Sequence, residues 1–395
     1  MHGHSTSDLE PRCEVTTWKG RDACRLANDV IELTHLTGGG CIADIHLHDG
    51  NEINPYWTPR WKTMEPFHFD PARHTQTYGP PEVGRLLCGI AGHSLCLDLF
   101  GAPSEEEAAQ GGTLHGEAGI SKWKASFSSS HSQSKLRFSV RLPRAAMQFA
   151  RSLLVRRGEP IVYVRETVKN LQAVDRFFQW QQHVTFGPPF LSKDCFVALP
   201  GGRGMTHPEG YEGREWLKSS SRFTWPNAGR SHGGRVDLQQ ALTNTGRGFV
   251  AGVQILPQRA DAFFCVSNLR SRLAVGYCFR REDFPWICTW EENAARRTPP
   301  WNGREKTRAI EFGASPLPLS RADGQQLGPL FGSPTLAYIP AKMSREIRYV
   351  IFLAKLPAGS EAVRDVRIAG AEINLLGGRG EVITSVPATH AGAGG

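Results

Sequence analysis

Three stretches of this sequence carry residue types and spacings that could do chemistry. In QWQQHVTFGPPFL (179–191), Gln179, Gln181, His183 and Thr185 fall on one side of an alternating segment. Phe178, Trp180, Gln182, Val184 and Phe186 fall on the other, because successive strand side chains point to opposite faces. An edge strand facing solvent and the floor of a polar ligand cleft would both show this pattern. In TRAIEFG (307–313), Glu311 shares its face with Thr307, Ala309 and Gly313, and such small neighbours leave room for a ligand beside the carboxylate. In PWICTWEE (285–292), Trp286, Trp290 and Glu292 line one face. Flat indole rings beside an acid suit the apolar face of a sugar ring; two core tryptophans and an edge salt bridge would give the same spacing.

Two further segments are richer in polar and aromatic residues than a core requires. NPYWTPRWKTMEPFHFDPARH (54–74) is a proline-broken loop carrying Tyr56, Trp57, Trp61, Phe67, His68 and His74. A loop this aromatic either packs down as a lid or lines a site. In GIAGHSLCLDLFG (89–101) and GGTLHGEAGISKW (111–123), glycines flank His93 and His115 and allow close approach of the backbone to a partner. Either histidine is equally a hydrogen-bonded structural residue.

The elements that must position these residues are strands. CIADIHLH, KLRFSVRL, IVYVRETV, GFVAGVQIL, RLAVGYCF, PWICTWEE, TRAIEF and REIRYVIFLAKL alternate with period two, and glycine and proline clusters separate them. Helix is scarce. The clearest helical start is PSEEEAAQ, where Ser104 and Glu107 have capping-box spacing. No repeat of 20–50 residues is present, which disfavours a propeller or solenoid. The pattern predicts an all-β sandwich or barrel in one domain over 13–385, with frayed tails at 1–12 and 386–395.

Composition narrows the function. The chain has 395 residues and a formal net charge of +8, but its basic residues occur singly or in pairs such as Arg156-Arg157, with no run of five. That distribution argues against nucleic acid as a partner. No apolar run is long enough to cross a membrane, and the N-terminal stretch lacks a signal-peptide pattern. Nine cysteines, scattered and without a CxxC pair, fit reduced core thiols in a cytoplasmic protein. GxSxG, HExxH, Walker-type and GxGxxG motifs are absent. His46 and His48 share a strand face and could ligate a metal with His68 or His93, but no spacing fixes the remaining ligands, so no metal is assigned.

The order of GIAGHSLCLDLFG, LHGEAGISKW, RRGEPIVYVRETVKNL, QWQQHVTFGPPFL, FPWICTWEE and RAIEFGASPLP resembles the aldose 1-epimerase (galactose mutarotase-like) superfamily, over about residues 25–355. It also resembles the hexose-phosphate 1-epimerase branch. The resemblance implies a β-supersandwich of antiparallel strands with a cleft on one sheet, into which the Gln179 to Thr185 stripe would point. By position, His115, His183 and Glu311 match the family's two histidines and late glutamate. Glu311 would act as base on the C1 hydroxyl, His183 as acid on the ring oxygen, and His115 would hold or polarise the oxygen. Arg85 matches an arginine preceding the first histidine, and His93, Gln181, Trp57, Trp290 and Glu292 are the remaining expected substrate contacts. No cofactor is implied, and the partner is a monosaccharide or small saccharide. In place of the arginine of the phosphate-binding branch, HGEAGISKW offers Glu117, Ser121 and Lys122. Two other readings stay open on the same scaffold: a non-catalytic saccharide-binding protein and a carbohydrate lyase.

Overall fold

The computed structural model describes residues 10–391 and is built from antiparallel sheets. The largest is fourteen-stranded. It runs from Arg12–Trp18 through Arg21–Ala27, Ile31–Leu36, Ile42–Leu47 and His93–Asp98 to Arg176–Phe186. It continues through Lys306–Gly313, Trp286–Asn293, Arg247–Ile255 and Gly201–Thr206 to three short strands ending at Arg235–Asp237, and the fourteenth strand, Ala337–Ile339, pairs with the start of Arg176–Phe186 off this path. The eight-stranded sheet centres on Leu273–Arg280, Ser344–Lys355, Ile161–Asn170 and Met147–Arg156. Each segment read as alternating in the sequence forms a strand.

The period-two pattern explains how the layers pack. Phe178, Trp180, Val184 and Phe186 from one sheet meet Leu153, Val164, Tyr277 and Ile351 from the other, in a single large apolar core. Burial at about 25 cal/mol per Å2 of apolar surface makes this contact the principal stabilisation. The polar stripe of the same strand therefore faces away from the sandwich interior. Gln182 breaks the apolar face, and its surroundings show why it is tolerated. Its Nε2 donates to Glu166 Oε2 at 2.6 Å, and its Oε1 accepts from Arg151 Nη2 at 3.2 Å. Arg151 and Glu166 are themselves paired at 2.7 Å with both side chains fully buried. A satisfied network of this kind avoids the cost of an unpaired buried polar group.

Three expectations are corrected. Arg12 already pairs with Ala27 in the first strand, so the N-terminal tail is shorter than 1–12; residues 1–9 lie outside the described residues. At the other end, Val382–Pro387 is a strand of a three-stranded sheet with Asp365–Ala369 and Glu372–Leu376. Ala388 is buried there, and Thr389 N donates to Glu159 Oε1 at 3.2 Å, so 386–391 are tied down by burial and hydrogen bonding. Residues 392–395 of that expected tail lie outside the described residues. The aromatic segment is also not loop throughout. Helices Pro71–Tyr78 and Pro81–Leu87 close it, each with proline at its first turn, and Asp70 caps the former by accepting from Ala72 N. Proline is compatible with a helix's first position, where its missing N–H has no partner to lose. Glu105–Ala109 has the capping box expected of Ser104 and Glu107.

All nine cysteines are free thiols, eight of them buried. No helix among the described residues is long and apolar enough to cross a membrane.

Candidate functional site

Strand register brings together residues far apart in sequence. Arg176–Phe186 and Lys306–Gly313 pair so that His183 lies directly opposite Glu311. Directly opposed residues project on the same face of a sheet, and here it is the face turned away from the sandwich core. His183 Nε2 is 3.5 Å from Glu311 Oε1. The His115 ring centroid is 4.8 Å from that of His183. These three side chains line one cavity of about 250 Å3, walled by Trp57, Tyr211, Trp290 and Trp301 and by aliphatic side chains including Leu86 and Ile90.

The floor under Glu311 is apolar. Cys288 opposes it on the next strand, and Cys96 and Phe100 pack against Cys288. Burial pushes the Glu311 carboxyl well above the usual carboxylate range. The Glu311 backbone is fixed by Gln181, whose Nε2 donates to Glu311 O at 2.9 Å. Gly313 is required for that contact, because a Cβ there would sit 1.9 Å from Gln181 Oε1. His183 Nδ1 lies 2.9 Å from Thr185 Oγ1, and burial followed by the neighbouring His115 holds the ring well below the usual imidazole range. Burial therefore favours the uncharged form of both groups, a carboxylic acid beside a neutral imidazole.

His115 adopts a left-handed φ of 62°, unusual for a residue with a Cβ. Its Nδ1 lies 2.6 Å from Phe100 O. A carbonyl can only accept, so Nδ1 carries the proton and the neutral ring presents Nε2 as an acceptor. Burial lowers its pKa to about 4; the hydrogen bond to Phe100 opposes that shift and the Arg296 charge adds to it. Strain of roughly 1–3 kcal/mol at such a backbone conformation is the kind retained where geometry is over-determined by its surroundings.

The aromatic walls are locked from behind. Trp57 Nε1 donates to Glu305 at 2.8 Å, and its ring stacks on Trp301 at an interplanar angle of 1°. Trp290 Nε1 donates to Tyr211 Oη at 2.8 Å, and Tyr211 donates to Glu292 at 2.7 Å. The Arg296 guanidinium lies within 4.9 Å of the Tyr211 and Trp301 ring centroids, within cation–π range.

Of the nine residues expected at the site, His115, His183, Glu311, Trp57 and Trp290 line the cavity. The other four do not. Gln181 acts behind Glu311. Glu292 is buried beneath Tyr211, where it also accepts from Arg296 N at 3.1 Å. Arg85 lies on the opposite side of helix Pro81–Leu87 from the cavity-lining Leu86 and Leu87, with its guanidinium 5.8 Å from the Phe69 ring centroid. His93 faces the sandwich interior with Leu95 and Leu97: Nε2 lies 3.0 Å from Gln182 Oε1 and Nδ1 lies 3.1 Å from Tyr277 Oη. Its position on the core face of the strand His93–Asp98 follows from alternation alone.

Sequence reasoning missed His207, Tyr211, Arg296 and Trp301, which also line the cavity. Trp301 and Arg296 lie just after PWICTWEE (285–292), but nothing local indicates that they fold back over Trp290. A larger groove of about 800 Å3 lies on the outer face of the eight-stranded sheet. Its charges are largely neutralised in ion pairs such as Arg348 with Glu346, and among its lining residues no histidine meets a buried carboxylate.

No protein-family model matches this sequence, and no curated protein does. Solved structures share its fold. A protein from Klebsiella pneumoniae proposed to be an aldose 1-epimerase superposes with a TM-score of 0.62 at 14% identity, over 88% of this chain and 85% of that one. A galactose mutarotase-like protein from Clostridium acetobutylicum gives 0.59 at 12% identity, over 88% and 99%. A protein from Salmonella typhimurium proposed to be a mutarotase gives 0.56 at 10% identity, over 87% and 94%. The architecture is the galactose mutarotase-like sandwich, and at these identities the likeness carries the fold alone.

Proposed function

We propose that this protein is a carbohydrate isomerase of the aldose 1-epimerase kind, interconverting sugar anomers by acid–base ring opening. The observation that carries this reading is the 3.5 Å pairing of His183 Nε2 with Glu311 Oε1 in a tryptophan-walled cavity. Anomer exchange acts on two oxygens attached to one carbon: a proton leaves the C1 hydroxyl and another reaches the ring oxygen. Two groups this close can serve both.

The resting and reactive forms differ by one proton moved within the pair. With the proton on Glu311 both groups are neutral, as burial favours. With the proton on His183, Glu311 is a carboxylate ready to take the O1 proton, and Nε2–H is ready to protonate the ring oxygen. The C1–O5 bond then breaks to give the open-chain aldehyde, C1 rotates, and the ring closes on its other face with the proton transfers reversed. Thr185 Oγ1 supports this by accepting from His183 Nδ1–H in both states, which leaves Nε2 as the nitrogen that gains and loses the proton. His115 Nε2, an acceptor, takes a hydrogen bond from a substrate hydroxyl and fixes the ring's orientation. This modifies the expectation that His115 polarises the oxygen, because a neutral Nε2 without a proton cannot donate. Positioned acid–base transfer of this kind contributes about 10²–10⁴-fold in rate.

Trp57, Trp290 and Trp301 also favour a second reading, a saccharide-binding protein without turnover, since indole faces bind apolar sugar faces in either case. Anomeric-proton exchange NMR across free hexoses, pentoses and disaccharides separates the two. Exchange faster than buffer for at least one sugar is expected. Binding of a sugar with no accelerated exchange would leave only the second reading.

A further inference from the structure

Away from the cavity, the strand Ile42–Leu47 and the turn after it assemble a second set of donors. Ile45 and Leu47 are buried in the sandwich core, so Asp44, His46 and His48 project from the opposite face. His46, His48 and Glu52 each offer one ligand atom, and the three atoms lie within 4.8 Å of one another. We propose that His46, His48 and Glu52 form a site for a divalent transition-metal ion. None of the three lines the cavity at His183 and Glu311, so this site stands independently of the proposed reaction.

Four observations support it. First, ligand atoms at about 2.1 Å from a tetrahedral ion lie about 3.4 Å apart. Glu52, exposed and immediately after the turn at 48–51, is free to swing its carboxylate toward the two imidazoles and close the set to that distance. Second, the His46 Nδ1 lies 2.7 Å from Asp44 Oδ1. A carboxylate on one ring nitrogen fixes the tautomer and aims the other nitrogen outward as a ligand, the usual support behind a metal-bound histidine. Third, His48 Nε2 is buried and has no hydrogen-bond partner among the described residues. An unpartnered buried nitrogen is costly, and an ion would satisfy it. Fourth, two imidazoles and a carboxylate are the donor set that holds Zn2+ and its neighbours with an open position for water. The Arg12 guanidinium acts on His48 from the edge strand Arg12–Trp18, and Glu32, on the adjacent strand Ile31–Leu36 and 3.6 Å from Arg12, offsets its charge.

The test uses the full chain, stripped with a chelator, then titrated with Zn2+ by calorimetry and with Co2+ by visible absorption. One ion per chain is expected to be lost in His48→Ala. Affinity should fall about 10–100-fold in Asp44→Asn, which removes only the orienting carboxylate. Glu52→Gln, at an exposed position that leaves folding intact, should weaken binding by replacing a carboxylate ligand with a neutral amide. The Co2+ spectrum should show nitrogen and oxygen ligation without thiolate charge transfer. Absence of binding to wild type, binding unchanged in both Glu52→Gln and His48→Ala, or a thiolate band from the cysteines would overturn the site.

Discussion

Acidification should unfold this protein in part through His115, and the size of the effect follows from its environment. The folded ring titrates at about 4, against 6.5 for a free imidazole. Between these values the unfolded chain binds a proton that the folded chain refuses, so stability falls as pH falls. The contribution is fully present above about pH 6.5 and exhausted near pH 4. A gap of about 2.5 pH units at about 1.36 kcal/mol each is worth about 3.4 kcal/mol. In His115→Gln the amide keeps a donor for Phe100 O but cannot titrate. Urea unfolding of wild type and variant, followed by tryptophan fluorescence from about pH 7 to about pH 4, should show wild type losing about 3 kcal/mol more than the variant. His35 and His93, also buried and held low, contribute equally to both curves and cancel. His183, with its ring centroid 4.8 Å away, couples to His115, so the same comparison in a His183→Asn background isolates the single-site effect. Parallel wild-type and variant curves would refute the assignment of a buried, neutral His115.

Other expectations follow from the same geometry. Because His183 is held below the imidazole range and Glu311 above the carboxylate range, the anomerisation rate should be bell-shaped in pH. Its acid limb should fall below about pH 6.5, and an acid limb above that value would contradict the burial argument. Tyr211→Phe removes both the acceptor for Trp290 Nε1 and the donor to Glu292, at about 1–3 kcal/mol per unsatisfied group. It should lower Tm and raise KM with kcat largely retained; a fall in kcat alone would speak against a purely positioning role. Glu166→Ala strands Arg151 in the core and should cost about 3–5 kcal/mol in urea unfolding. A loss near zero would mean that Arg151 finds another partner.

The strands were legible because alternation reports burial directly. Phe178 to Phe186 and Ile310 with Phe312 declared their core face, and the polar stripe with Glu311 declared the other. Register was not legible: that His183 opposes Glu311 depends on pairing between strands over a hundred residues apart. His93 and Glu292 show the limit of reading residue type without facing. Both are polar and lie near chemistry in the chain, yet one faces the sandwich interior and the other supports Tyr211 from below. Arg296 and Trp301 escaped because a loop's return path leaves no periodic trace in sequence.

The proposed reaction depends on the His183–Glu311 pair, and exchange NMR of anomeric protons with wild type beside Glu311→Gln tests it most directly. For the sugar that wild type accelerates, the variant should bind it with similar affinity and lose about 10²–10⁴-fold in exchange rate. Undiminished exchange in a folded Glu311→Gln protein would show that the carboxylate is not the base.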